Sequence, residues 1–237
     1  IRQAWRTGGG GPYESYGEQF HEGQARLSRP ACLHSLGSEW IPAMEDVDER
    51  LRSEPPARVA DVGCGYGWSC IGIAQAYPNV RIDGYELDEG SVAAARENVI
   101  EAGLDDRVTI ECRDAGDSTI DGEYDLVTAF ECVHDMSDPV GVLENVRRLV
   151  ADDGAVFVAD ERVGDEFTAD GNEVEWMMYG WSVLHCLPVG MAERPSAATG
   201  TVMRTETLRE YATEAGFSDV TVLPVENYFF RFYRLEP

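Results

Sequence analysis

The sequence predicts an open α/β fold: a mostly parallel sheet with helices on both faces, an N-terminal helical lead-in and an insertion after the fifth strand. Two observations carry this expectation. From Ala57 onward, short β-branched runs alternate with longer helical patterns, the order that builds a parallel sheet. The first run also passes straight into a glycine-rich turn and an apolar helix, ARVADVGCGYGWSCIGIA over 57–74. Residues 1–54 read as a lid and covering helix, and 55–237 as one domain.

Residues 1–30 hold a glycine run, Gly8 to Gly11, and read as a flexible lead-in from which Tyr13 and Tyr16 can fold back over a ligand. Pro30 is placed to open a helix. Trp40, Met44, Val47 and Leu51 then recur at near-helical spacing, giving an amphipathic helix that Pro55 and Pro56 end. Further strands are expected at 80–86, 108–112, 124–130 and 155–160. Ser137 or Asp138 caps the helix after the fourth, with Pro139 in its first turn. The insertion spans about 163–203 and carries Trp176, Met177, Met178, Trp181 and Leu184 on one broad apolar face. It lies above the carboxyl edge, where it can roof a pocket. A helix from Thr205 stops at Gly216, and runs near 220–225 and 228–233 read as a closing hairpin.

The glycine turn narrows the ligand. Gly63, Gly65 and Gly67 permit unusual backbone angles and let a ligand lie on bare main chain. A dinucleotide loop needs a third glycine where Trp68 stands, which counts against NAD. The chain has no lysine, so a Walker-type phosphate loop is excluded. Asp61 puts a carboxylate at the mouth of the turn, suited to a ligand with a positive charge or amino group. Glu86 follows the turn by about twenty positions, where this architecture accepts ribose hydroxyls. Asp114 stands at the right depth to accept from an adenine amino group.

In order and spacing, DVGCGYG, GYELD, RDAGD and YDLVTAFECVHD resemble the class I S-adenosylmethionine-dependent methyltransferases. The resemblance covers roughly 57–161, and it is finest to small-molecule enzymes that carry an N-terminal winged-helix or dimerisation domain. It implies a Rossmann-like seven-stranded sheet with an antiparallel last strand, and S-adenosylmethionine as cofactor with S-adenosylhomocysteine as product. Gly63, Cys64, Gly65 and Gly67 would line the methionine part, with Asp61 close by and Tyr16 as a lid. Glu86 would hold the ribose, Leu87 would flank the adenine, and Asp114 with Ala115 would read its edge. Phe130 and Glu131 would border the sulfonium.

Composition bounds the rest. The 44 acidic and 19 basic residues leave a net charge of −25, which repels nucleic-acid backbones. An acidic, lysine-free chain fits a salt-rich cytoplasm, where screening removes self-repulsion. No apolar run is long enough to cross a membrane. The six cysteines show no zinc spacing and read as reduced, buried thiols, so no metal is expected.

The partner of the cofactor is expected to be a small-molecule methyl acceptor under the aromatic roof, lined by Tyr13, His134, Trp181 and His185. His134, four residues beyond the fourth strand, is the expected catalytic base, oriented by Asp135, because imidazole is best matched to proton removal near neutral pH. The rival expectation is a regulator that senses S-adenosylmethionine or a metabolite and has lost an N-terminal DNA-binding domain. A hydrophobic N-terminal helix leans towards a homodimer.

Overall fold

A computed structural model describes residues 1–237. The strands β1 (Arg58–Val62), β2 (Arg81–Glu86), β3 (Val108–Cys112), β4 (Tyr124–Phe130), β5 (Val150–Glu161), β6 (Asp219–Val222) and β7 (Phe230–Glu236) form one sheet in the order β3-β2-β1-β4-β5-β7-β6. The first five are parallel. β7 runs antiparallel to both β5 and β6. The strand order reverses beside β1, so the carboxyl ends of β1, β2 and β4 open a crevice there.

Helices α1 (Arg2–Thr7), α2 (Glu18–His34), α3 (Glu45–Arg52), α4 (Trp68–Ala76), α5 (Glu89–Glu101), α6 (Pro139–Leu149), α7 (Glu173–Trp181), α8 (Leu187–Gly190) and α9 (Thr205–Glu214) complete the chain. Each face of the sheet buries its own apolar core. Trp40, Leu51, Ile71, Ile82, Phe157 and Phe232 fill one. Val127, Leu143, Val156, Val158, Leu208 and Tyr233 fill the other. The alternation of Val156, Phe157 and Val158 between faces is the period-2 pattern of a strand covered on both sides. Each such side chain contributes roughly 1.5–3 kcal/mol by leaving water.

Four expectations change. The 1–30 segment is largely helical, because α2 buries His21, Ala25 and Cys32 against the domain. Pro30 lies inside α2 rather than opening a helix. Only glycine fits at position 72, since a Cβ there would run into the Cys32 carbonyl, so α2 sits directly on α4. The amphipathic stretch 36–52 buries Trp40, Met44, Val47 and Leu51 as its spacing requires. It is not one helix, however: a π-helical turn (Leu36–Trp40) and a 3₁₀ turn (Ile41–Ala43) precede α3. Pro42, which cannot donate to an i−4 carbonyl, accounts for the break. At the other end, the closing strands are joined by residues 223–229 rather than a two-residue link.

The remaining capping expectations hold. Asp138 accepts from Gly141 N at 3.0 Å with Pro139 in the first turn of α6, and Gly216 follows α9 at φ 91°.

Candidate active site

The glycine turn is held from below by backbone and from the side by Glu86. Gly63 N and Cys64 N both donate to the Tyr85 carbonyl, at 2.9 and 3.1 Å. Gly63, Gly65 and Gly67 all have positive φ, at 65°, 52° and 76°. At Gly63 a Cβ would also strike the Cys132 side chain, whereas at Gly65 it would meet open space. Gly65 is therefore the bare backbone that a ligand can approach.

Glu86, at the end of β2, accepts from Gly65 N at 2.9 Å, Leu87 N at 2.8 Å and Asp88 N at 3.0 Å. Burial pushes its carboxyl up, and those backbone donors pull it back. Oε1 accepts from both Leu87 and Asp88, whereas Oε2 accepts from Gly65 alone and keeps a lone pair for a ligand hydroxyl. Leu87 stands exposed beside it. Asp114 is exposed, accepting from Gly116 N at 2.8 Å, and the Ala115 carbonyl accepts from Asn145 Nδ2 at 2.5 Å. An open cleft of about 470 Å³ is lined by Asp114, Gly116 and Asn145 among others. It lies at the Asp114 end of the edge, away from His134, which lies under the lid.

Asp61 is not at the mouth of the turn. Its carboxylate is buried and accepts from Thr128 Oγ1 at 2.5 Å, Cys70 Sγ at 3.3 Å and Ser69 Oγ. It ties β1 to β4 and α4 beneath the turn, so it shapes the loop rather than facing a ligand. The Cys64 side chain likewise turns inward, against the apolar core. Phe130 packs edge-on to Phe157, ring centres 5.3 Å apart, and forms one wall.

Beyond β4 the chain turns through Glu131, a non-glycine residue at φ 53°, to His134. His134 is buried. Its Nδ1 lies 2.9 Å from Asp160 Oδ2 and 3.6 Å from Glu161 Oε2, both at the end of β5, and its Nε2 lies 3.5 Å from Asp135 Oδ1. Asp160, not Asp135, is thus the group that orients the ring. Burial lowers the affinity of His134 for its proton, but Asp160, Glu161 and Asp135 together raise it well above the usual imidazole range. Burial pushes Glu131 up to about 7, with Asp160 and Asp135 adding to it and His134 opposing. Glu161 is raised for the same first reason.

The lid closes on this centre. Tyr13 stacks on His21 with ring centres 4.0 Å apart. His185 sits among Tyr16, Phe20 and Tyr13, at 4.7, 4.7 and 5.8 Å. Tyr16 Oη donates to the Leu184 carbonyl at 3.0 Å, and Trp181 lies 6.4 Å from Phe20. His21 Nδ1 reaches within 3.7 Å of Asp88, the residue that caps α5 beside Glu86. The lid therefore spans from the neighbourhood of Glu86 to the insertion. His185 is buried, which lowers its proton affinity, and its Nε2 has no hydrogen-bond partner.

The carboxyl edge thus gathers the glycines, Glu86, Leu87, Asp114, Ala115, Phe130, Glu131 and His134, and the N-terminal arm and insertion bring Tyr13, Tyr16, Trp181 and His185 above it. Asp160, Glu161, Phe20 and His21 were missed. The acidic end of the VADE run was the available signal for the first two. The others were hidden because residues 1–30 read as flexible. His185 and Cys186 looked like the only adjacent ligand pair, yet the fold also brings His134, Asp135 and Cys186 together, their ligating atoms within 4.8 Å of one another.

Residues 60–156 match the family model described as Methyltransferase domain. Those residues, under half of the chain, are similar to a methyltransferase domain. The cofactor that this similarity implies is S-adenosylmethionine, and the glycine turn with Glu86 would fit that molecule: bare backbone at Gly65 and a fixed acid one strand away. Among its relatives, the 27-O-demethylrifamycin SV methyltransferase of Amycolatopsis mediterranei is 33% identical over 104 residues, 44% of this chain and 38% of that one. The norajmaline N-methyltransferase of Rauvolfia serpentina is 26% identical over 151 residues, 60% and 50% of the two chains. The chain thus spans no more than half the length of the curated relatives it matches. An O-methyltransferase from neocarzinostatin biosynthesis, solved with S-adenosylhomocysteine and 1,4-dihydroxy-2-naphthoic acid, superposes with a TM-score of 0.66 at 16% identity, covering 98% of this chain and 66% of that one. At that identity the likeness shows the fold.

Proposed function

We propose that this chain transfers a methyl group from S-adenosylmethionine to a small-molecule acceptor. The observation that carries the reading is one sheet edge holding both a ligand-ready glycine turn bonded to Glu86 and, beyond it, a buried His134 oriented by Asp160. Gly63, Gly65 and Gly67 hold the methionine part, Glu86 the ribose, Leu87 and the Asp114–Ala115 loop the adenine, with Phe130 and Glu131 at the sulfonium. When bound, the cofactor supplies an electrophilic methyl group. Tyr13, Tyr16, Trp181 and His185 exclude water and hold the acceptor in line, which is the main contribution a protein can make to this displacement.

With its Nδ1 proton held by Asp160, neutral His134 presents Nε2 as the base that takes the acceptor's proton. The acid cluster makes that base strong and keeps it charged past neutrality. Turnover should therefore rise as pH is taken above 7. A sensor of the cofactor would need the glycine turn but not this second, buried centre, which favours the enzyme over a regulator. The rifamycin and norajmaline enzymes act, by their names, on small molecules, in keeping with an acceptor of that size.

No helix is long and apolar enough to cross a membrane, and all six cysteines are free thiols, which suits the cytoplasm. The exposed apolar face of α7 and the turn after it, with Trp176, Met177, Val183 and Leu184, suits a homodimer. Equilibrium titration with S-adenosylhomocysteine and NAD tests the core of the proposal. Micromolar binding of the former and none of the latter is expected, and the reverse would end it.

A further inference from the structure

Beside His134 lie four carboxylates, those of Glu131, Asp135, Asp160 and Glu161, with ionic or Coulombic ties to it or to one another. No arginine forms an ion pair with any of the four, and the chain has no lysine. Burial lets Glu131 and Glu161 hold protons, which leaves the carboxylates of Asp135 and Asp160; with His134 neutral, as a base must be, no cation of the chain balances either. Two of the oxygens, Asp135 Oδ1 and Glu161 Oε2, are buried with no hydrogen-bond donor. A third atom is independent of the acids: Nε2 of the buried His185, in the insertion and within electrostatic range of Asp135, is also without a partner. Leaving a buried acceptor unsatisfied costs about 1–3 kcal/mol, more for a charged group. Elsewhere on the edge, at Glu86, every carboxylate oxygen has a backbone donor.

The two orphan carboxylate oxygens lie on opposite nitrogens of the His134 ring. Glu161 is on the Nδ1 side with Asp160. Asp135 is on the Nε2 side, towards the insertion and Cys186. The net positive charge that the cofactor would bring, centred on its sulfonium, can offset one of the unbalanced acids. A neutral acceptor would leave the Nε2 side short of both charge and donors. The lid tyrosines Tyr13 and Tyr16 stand within electrostatic range of Asp135, and with Phe20 they pack around His185, which makes the surroundings of that side aromatic and apolar.

We infer that the acceptor is a protonated amine on an apolar or aromatic body, docked with its ammonium group on Asp135 at the Nε2 side of His134. The inference rests on the methyltransferase reading and adds to it the charge and the atom of the acceptor. An ammonium N–H donates to Asp135 Oδ1, and one of its protons passes to Nε2 of neutral His134. The freed nitrogen lone pair forms the N–C bond as the S–C bond of the sulfonium breaks. The products are a methylated ammonium, a neutral thioether and an imidazolium that returns its proton to water through Asp135, whose side chain is partly exposed.

Three probes of one shape test this by calorimetry on protein saturated with S-adenosylhomocysteine at pH 7.5: 2-phenylethylamine, 2-phenylethanol and phenylacetate. The amine should bind at least about tenfold tighter than the alcohol, and the anion weakest, tenfold being about 1.4 kcal/mol. Asp135→Asn should bring the amine down to the level of the alcohol while leaving the alcohol unchanged. Glu161→Gln should weaken the amine by a smaller factor. Equal binding of amine and alcohol, tighter binding of the anion, or no amine binding at tens of millimolar would each overturn the inference. Loss of S-adenosylhomocysteine binding in the unaltered protein would instead sink the methyltransferase reading beneath it.

Discussion

The glycine-turn half and the His134 half of the same sheet edge treat their polar groups in opposite ways. Around Glu86 each carboxylate oxygen meets backbone N–H groups set by the local turn, so the site is complete before a ligand arrives. Around His134 the acids outnumber the cations, two carboxylate oxygens lack donors, and the lid is aromatic. The first half is preorganised by neighbours in sequence. The second is held together by long-range packing and stays electrostatically unfinished, which is the state expected of a place where charge moves during reaction.

Removing the base should separate the halves most sharply. His134→Ala is expected to lower turnover by about 10²–10⁴-fold, the range of a general base, with S-adenosylhomocysteine affinity changed less than about threefold. Parallel loss of binding in calorimetry would make His134 a cofactor ligand or a structural residue instead. The converse change is Glu86→Ala, which should weaken cofactor binding on the order of 10–100-fold, as loss of charge-assisted hydrogen bonds would. The rate at saturating cofactor should fall much less.

The pH dependence of stability reads the unfinished half directly. Glu131 binds its proton up to about 7 in the folded chain, above its ordinary carboxylate value, so the folded state holds more protons than the unfolded one in between. Stability of the free protein should fall as pH rises across that window. His134, raised above its ordinary value, acts in the same direction: its contribution is complete below about 6.5 and is lost as pH climbs through its raised value. Glu131→Gln should flatten the slope below neutrality and raise the melting temperature near pH 7.5 by about 2–4 °C, equivalent to about 1 kcal/mol. An unchanged slope in a pH series of thermal melts would show that Glu131 is not the titrating group.

The smallest effect concerns the whole surface. With a net charge of −25, melting temperature is expected to rise by a few degrees between low and molar chloride through screening. Melts that stay flat with salt would remove the halophilic reading.

The difference between the halves also explains what could be read in advance. The glycine turn, Glu86 and the strand pattern are local: spacing along the chain places them, because strand, turn and helix follow one another without a gap. Asp61 misled for a related reason. Its position in sequence is beside the turn, but strand alternation points it inward, where Ser69, Cys70 and Thr128 are waiting. Residues 1–30 misled through composition, since glycines near the start hid a helix whose stability comes from packing on α4 rather than from its own propensity. Asp160 and Glu161 lay in view at the end of a strand, yet no spacing links them to a histidine 26 and 27 positions earlier.

By itself, then, the sequence determined the α/β architecture, the crevice at β1, β2 and β4 and the place of Glu86 and Asp114 at its edge, because periodicity and turn chemistry are short-range properties. Only the tertiary structure decided which acid holds His134, that the N-terminal tyrosines close on His185, and that several buried carboxylates share one place without an arginine. Those are contacts between segments far apart in the chain, and their energies depend on burial and on neighbours that no local pattern encodes.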